Sequence, residues 1–535
     1  MSATASVAPA REAGAVGRRR LPRWWPLGAI VIAGAALRLS TLGLQSFWYD
    51  EAFTPVHVLH PSLFSTLSSM VHTENSPPVW YVLEWLDSRV LGTGEVALRL
   101  PSALAGIALL WALYAVGDEL AGRRCAIAAA ALAAVCPLFV WYSQEARVYA
   151  LFALTSAVAL LCFLRAERDP TPGRLAAFAG AGALALATHY FQAFMLIGMG
   201  LWLLRREPLR RRALPPLAAI GAVALALVPL LIAQGGHGTQ WIGRWPLGER
   251  LAAIPQYYLL GTSGEPLGHG IELLVALPLL ACAAFGLWRL ADRPTASARG
   301  EVPAGGAGPG PGGPPGAGRS PDAPARTPEA AAALLTLIAA CGVLIPIVLI
   351  AFGGDYLAPR NLIGAMVPVT ALVAVLGTSP QAGRTGAGLL AAGVVASAAI
   401  TIDVNLSPRL QRGDWRGVAD GLRRSPAPRA RAITTVELGA APLEYYLRGL
   451  HNLHRGASVL VSEIDETGYA PLRRSAGEPP APGFALLERA DSDGLITYRF
   501  GSSVPRPVTE SELRAHVITR AHPEVLVPAG DTVLR

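Results

Sequence analysis

Apolar runs of roughly 20 residues recur along the first three-quarters of the chain and stop before the last quarter. Each is long enough to cross a hydrocarbon core about 30 Å thick. The pattern predicts about eleven membrane-spanning helices, near 24–44, 98–118, 125–142, 149–165, 174–189, 191–204, 213–233, 269–290, 329–352, 361–378 and 385–403. Several are short, and between 174 and 204 only Thr188-His189-Tyr190 marks a break. Beyond about residue 404 the composition turns polar and reads as a small mixed α/β unit, with a strand over Ala432 to Val436 and a helix over Pro442 to Leu450 that contains Tyr445 and Tyr446.

Charge orients this pattern. Arginines gather in alternate connections: Arg123 and Arg124; Arg165, Arg168 and Arg174; Arg205, Arg206, Arg210, Arg211 and Arg212; Arg289, Arg293 and Arg299; and Arg384. The positive-inside rule puts these loops in the cytoplasm with the N-terminal tail 1–23. The Gly/Pro-rich segment 291–328 is then a flexible cytoplasmic linker. An odd number of spans delivers 404–535 to the extracytoplasmic side. The first apolar segment follows Arg18, Arg19 and Arg20 as in a signal peptide, but no small-residue cleavage site comes after it, so it reads as an uncleaved span.

With 52% hydrophobic and 15% charged residues, the composition excludes an ordinary soluble enzyme. The net charge of +8 comes from arginine alone, since none of the 45 basic residues is lysine. Its clustering in short loops accounts for it by topology, and no nucleic-acid partner is expected. Cys125, Cys136, Cys162, Cys282 and Cys341 lie in or beside apolar runs without metal-ligand spacing, and read as packing residues. No P-loop or glycine-rich strand-to-helix turn suggests a nucleotide site.

The polar chemistry falls in loops on one side. Asp50 and Glu51 follow the first span, where a carboxylate can accept a proton from an attacking hydroxyl. Beside them, Trp48 suits a substrate contact, or together with Tyr49 an aromatic belt. Glu74 precedes Ser76-Pro77-Pro78, and Trp80, Tyr81 and Trp85 continue as an interfacial amphipathic stretch. Arg147 sits in the short turn between Ser143 and Tyr149, and Arg360 ends the turn that starts at Asp355. Their paired donors match phosphate oxygens; for Arg147, snorkelling or an ion pair with Glu145 is the structural alternative. His189 and Tyr190 reach the same level as candidate substrate contacts, although a lone histidine at a helix end is commonly structural. Arg38 is a charge within a predicted span and therefore a functional candidate. Asp50, Glu51 and Glu74 together are candidate ligands for a divalent cation, which no spacing rule demands.

Several of these stretches carry a family resemblance: WYDEAF after the first span, the acidic-Pro-Pro-aromatic stretch, LRLPSALAG at 98–106, SQEARVYAL at 143–151 and YLAPRNL at 356–362. Over 24–403 the chain resembles the GT-C glycosyltransferases, and within them the family 39 branch of protein O-mannosyltransferases and lipid A aminoarabinose transferases with their bacterial relatives. The resemblance implies a polytopic all-α membrane catalytic domain with interfacial helices, set in a bacterial plasma membrane. It implies inverting transfer of a hexose or pentose, commonly mannose, from a polyprenyl-phosphate donor to a hydroxyl on a cell-envelope glycan, lipid or protein. It makes Asp50 the base with Glu51 its neighbour, Glu74 the second acid, and Arg147 and Arg360 the donor-phosphate ligands, accompanied by Tyr149, Tyr356 and Arg38. Ser76 departs from the pattern, standing where many relatives carry a basic residue. Asp414-Trp415-Arg416 resembles the start of the outer domain in actinobacterial-type relatives, with acceptor binding or packing over the cleft as its role. Two other functions fit a polytopic chain: a transporter or flippase of lipid-linked sugars, whose binding groups would sit near the midplane, and a non-catalytic scaffold.

Overall fold

The computed structural model describes residues 24–237, 239–261, 269–291, 326–425, 430–516, 518, 522–529 and 533–534. The tail 1–23 and nearly all of the linker 291–328 lie outside them.

Every predicted apolar run is helical. Helix α1 (Trp25–Leu39) leads into a first loop holding α2 (Tyr49–Phe53), α3 (Leu63–Thr73) and α4 (Val79–Leu91). Then come α5 (Glu95–Ala121), α6 (Arg123–Val135), α7 (Pro137–Ser143), α8 (Tyr149–Arg168), α9 (Pro172–Thr188), α10 (Gln192–Leu204) and α11 (Glu207–Ala233). Two short helices, α12 (Gln240–Arg244) and α13 (Leu247–Leu260), precede α14 (His269–Ala291), α15 (Pro328–Ile350), α16 (Ile363–Thr378) and α17 (Gly383–Leu406). Among the described residues six helices are long and apolar enough to cross a membrane, or seven if the bent pair α6–α7 is one span. Helices α1 and α10 are shorter. The break at 189–191 follows the expected signal, since α9 ends at Thr188 and α10 starts at Gln192.

The bundle has two chemically distinct ends. At one, the α5–α6 and α8–α9 turns carry arginines, and Arg165 and Arg168 reach Glu119 at 3.2 and 2.5 Å. Loop 45–97, the α7–α8 turn and the turn before α16 occupy the other end.

The expected single span at 125–142 is broken. Pro137 has no N–H to offer the carbonyl four residues back, and α6 and α7 meet at a 59° bend. That bend leaves the Ala133 and Ala134 carbonyls to find other donors. Arg38 supplies them: its Nη2 donates to Ala133 O and its Nη1 to Ala134 O, both at 3.0 Å. Nη1 also donates to Gly34 O, and Nε to Ser143 Oγ at 3.1 Å. The residue is fully buried, so its guanidinium is committed to the helix break and does not face the polar loops with the donor-phosphate candidates. Gly106 on α5 admits this arrangement, because a Cβ there would lie 2.0 Å from Ser143 Oγ.

The polar tail folds as expected into a mixed α/β unit: α18 (Trp415–Arg423), β1 (Arg431–Thr435), α19 (Ala440–Tyr446), β2 (Leu450–Asn452), β3 (Ser458–Tyr469), β4 (Ala485–Ser492), β5 (Leu495–Thr509), α20 (Glu510–Ala515), β6 (Glu524–Pro528) and β7 (Val533–Leu534). The strand order is β2-β6-β1-β3-β5-β4, with β7 also on β3. Among the described residues only β1 and β3 pair in parallel; the other ladders are antiparallel. Helix α19 stops short of the expected Leu450 because Gly449, at φ +89°, turns the chain into β2.

Replacing Arg38 by Met should lower the thermal unfolding temperature of the purified protein in detergent even without any substrate. Each carbonyl left without a donor costs about 1–3 kcal/mol. An unchanged melting curve would remove Arg38 from this structural role.

Candidate active site

Four carboxylates meet four arginines where the first loop, the α7–α8 turn, the turn before α16 and the entrance to the tail domain converge. Each pair joins distant parts of the chain.

Glu51, on α2, is fully buried and gripped by Arg99 at the start of α5, with Nε–Oε1 and Nη2–Oε2 both at 2.7 Å. The Ala146 N–H donates to Oε1 at 2.9 Å. Arg99 further donates to the carbonyls of Leu42, Gln45 and Ser46. Burial works against the Glu51 carboxylate, but the Arg99 guanidinium outweighs it and holds this carboxyl below the usual range. Expected beside Asp50 as a catalytic acid, Glu51 is instead saturated by partners that fix α2 against α5 and the α7–α8 turn.

Asp50, its neighbour, points the other way and pairs with Arg360. It keeps some exposure, with 14% of its side chain accessible. Arg360 lies under two rings, with its guanidinium carbon 5.7 Å from the Tyr149 centroid and 5.0 Å from that of Trp241 on α12. Arg250 on α13 clamps the turn that carries Arg360, donating to Asp355 at 2.5 and 2.9 Å and to Leu357 O at 3.1 Å.

Arg147 makes a two-pronged pair with Glu74, at 2.9 and 3.0 Å, not the pair with Glu145 that adjacency suggested. The same Nη1 lies 3.4 Å from the Asp50 carbonyl. Burial opposes the Arg147 charge, and Glu74 leads the groups that raise its pKa. Glu145 is fully buried and receives Arg412 at 2.7 Å. Burial lifts its carboxyl to about 7, Arg412 offsetting part of the effect. Arg412 also lies over Trp141 and Trp48, 4.3 and 5.6 Å from their centroids.

The other expected contacts are spread around this centre. His189 stacks on Phe152 at 4.4 Å and accepts from the Phe191 N–H at 3.2 Å, the structural reading of a lone histidine. Tyr190 donates to Gln234 at 2.7 Å. Tyr356 is exposed, and its carbonyl accepts from Asn361. Trp48 packs against Tyr49 and the tail domain. Asp50, Glu51 and Glu74 are each taken by a different arginine, so they form no shared cradle for a cation. Among the described residues no group of three or more metal-ligating side chains is placed to hold one.

The tail domain closes over this region. Ser46 Oγ donates to Gly413 O and accepts from the Trp415 N–H at 2.9 Å. The Phe47 N–H donates to Tyr446 Oη at 2.7 Å, and Tyr446 Oη in turn donates to Glu95.

The architecture has solved counterparts. It is similar to ArnT from Cupriavidus metallidurans, solved bound to undecaprenyl phosphate, with a TM-score of 0.52 and 11% identity over 89% of this chain and 98% of that one. The chain has a GT-C-like fold. Other GT-C structures align more loosely: oligosaccharyltransferase AglB from Archaeoglobus fulgidus (TM-score 0.39, 14% identity, 79% of this chain and 59% of that one) and arabinosyltransferase EmbB from Mycobacterium smegmatis (0.39, 15%, 89% and 48%). Residues 75–233 match the family model described as dolichyl-phosphate-mannose-protein mannosyltransferase, less than a third of the chain. A search of curated proteins finds no match.

Within the GT-C-like frame, the partners that sequence reasoning missed are Arg99, Glu145, Trp241, Arg250 and Arg412. Arg99 had a visible signal, a charge at the very start of an apolar run. Glu145 was seen only as a neighbour of Arg147. Nothing local marks Arg250 or Arg412, whose partners lie 105 and 267 residues away.

Glu51 and Asp50 should therefore part on substitution. Glu51→Gln leaves Arg99 buried without its counter-charge and should cost about 3–5 kcal/mol, read as a large fall in melting temperature. Asp50→Asn, at a partly exposed pair, should leave the melting temperature within a few degrees of wild type. Equal losses would reject the division of labour between them.

Proposed function

We propose that the chain is an integral membrane glycosyltransferase that moves a sugar from a polyprenyl-phosphate donor to an acceptor hydroxyl at the outer face of the plasma membrane. The observation that carries this reading is the partly exposed Asp50–Arg360 pair, the one of the four with the most open carboxylate. The fold shared with ArnT, whose structure holds undecaprenyl phosphate, and the mannosyltransferase family match over 75–233 support the donor class.

In the structure the two groups neutralise each other. A donor phosphodiester arriving at Arg360 offers that cation two non-bridging oxygens to bind in a fork, and a second charge develops there as the sugar leaves. Asp50 is then released as a carboxylate beside the reacting centre, able to take the proton of the acceptor hydroxyl as oxygen attacks the anomeric carbon. The C–O bond to phosphate breaks on the opposite face, with inversion. Arg360, held by Tyr149, Trp241 and the Arg250 clamp, stabilises the charge left on the polyprenyl phosphate. Arg147 reinforces it from the Glu74 side. No nucleotide is needed, because the donor reaches the site by lateral diffusion. Mannose is the sugar this reading favours.

A transporter for lipid-linked sugars would place its binding groups at mid-depth on broken helices. Here the broken helix α6–α7 presents its freed carbonyls to Arg38, and the open charges gather at the loop end.

Membranes containing Asp50→Asn should insert the protein normally and lose at least about a hundredfold in sugar transfer from radiolabelled polyprenyl-phosphate mannose to endogenous acceptors. Arg360→Met should lose transfer as well. Full activity of Asp50→Asn would remove Asp50 as the base, and transfer by neither wild type nor variant across a panel of polyprenyl-phosphate hexoses and pentoses would reject the donor class.

A further inference from the structure

The tail domain has a second polar feature, away from the four ion pairs. An open groove of about 470 Å³ lies where α18, α19 and the ends of β2 and β6 meet, lined by Arg423, Arg431 and Arg448 with Tyr446, Leu450 and Pro528. No carboxylate lines it among the described residues. Two of the arginines are held by backbone: Arg423 donates to Tyr446 O and Arg431 to Leu422 O. Arg423 also pairs with Asp420 on its own helix. Arg448 is exposed and makes no ion pair among the described residues. Arg423 and Arg448 therefore present guanidinium groups on this concave surface, with Arg431 more buried and within electrostatic reach of Asp465. Such planar forks match phosphate and carboxylate oxygens, and the volume falls within the range of small-molecule sites.

The groove is mechanically joined to the site below. Tyr446 is common to both: its carbonyl takes Arg423 at the groove, while its hydroxyl accepts from Phe47 N–H, three residues before Asp50. His57, just past α2, meets Glu444 of the same helix α19 at 3.3 Å.

We propose that this groove binds an anionic stretch of the acceptor, a glycan bearing phosphodiester or carboxylate groups, and leads its hydroxyl end toward Asp50. A glycan fits better than an acidic peptide. The sheet edge beside the groove is β2, only three residues long, which gives an added peptide strand too short a ladder to pair with. Naming the ligand an acceptor rests on the glycosyltransferase reading; the anion site itself does not.

The test uses the full chain in neutral phosphatidylcholine nanodiscs, with affinities measured by thermophoresis for poly(glycerol phosphate) oligomers, oligogalacturonate, neutral dextran oligomers and poly-glutamate. Either anionic glycan should bind, dextran should not, and the affinity should fall as salt rises from about 0.05 to about 0.3 M. Arg448→Glu should weaken binding on the order of tenfold or more, whereas Arg448→Lys should keep most of it. Unchanged binding in Arg448→Glu and in the Arg423→Glu/Arg448→Glu double variant would overturn the proposal. So would equal binding of dextran, tighter binding of poly-glutamate, or capture by anionic vesicles that the glycans cannot compete away. Transfer to a small neutral acceptor should survive Arg448→Glu. Anionic glycan binding without any transfer would fault the catalytic reading alone, and transfer without such binding would fault the groove alone.

Discussion

A charge removed from water must find its opposite within hydrogen-bonding reach, and a chain whose interior is largely apolar has few places to satisfy that demand. The site answers with one-to-one pairing: Asp50 with Arg360, Glu51 with Arg99, Glu74 with Arg147, and Glu145 with Arg412. Because each pair spans segments far apart in sequence, the four together act as the fasteners that bring the first loop, α5, the α7–α8 turn, the turn before α16 and the tail onto one another. The arrangement tolerates one loosened pair. In the proposed mechanism that pair is Asp50–Arg360, whose partners keep access to solvent and can be separated by an incoming anion.

The pairs differ in how they are supported. Glu51 and Arg99 are surrounded by backbone donors and acceptors, so they define geometry. Arg360 is bounded by aromatic faces instead, which attract a cation without occupying all its N–H groups. A ligand can therefore bind Arg360 without first stripping away a full set of hydrogen bonds. Orientation of the same residue comes from Arg250, through Asp355 and the Leu357 carbonyl, so positioning and availability are handled by separate neighbours.

Much of the fold was legible in the sequence because hydrocarbon thickness imposes a length on apolar runs, and each such run is a helix in the structure. The α6–α7 bend was not, since a proline within an apolar run signals a break only when the neighbouring helices are known to satisfy the freed carbonyls. In the site, Asp50, Glu51 and Glu74 were visible as acids after and within a loop that otherwise had no reason to carry them. What their spacing could not disclose was orientation. Adjacent residues on the short helix α2 point apart, sending Glu51 into the packing and Asp50 toward Arg360. Arg38 misled for a related reason: a buried arginine near the end of a helix is equally suited to a phosphate and to two carbonyls left without partners, and only the position of Pro137 distinguishes them. Trp241 and Arg412 lay beyond reach because their partners come from segments with which they share no pattern.

Arg412 carries a consequence for how the molecule is made. It lies beyond the last of the long apolar helices, yet it is the counter-charge for Glu145 in the α7–α8 turn. During synthesis from the N-terminus, Glu145 is produced 267 residues before that partner, at a stage when burying it as a carboxylate would leave an uncompensated charge. The loop end must stay hydrated, or its acid protonated, until the tail emerges and plugs in. Closure of the centre is thus coupled to the emergence of Arg412, and a chain made only as far as the bundle holds an open, wet precursor in place of a finished site.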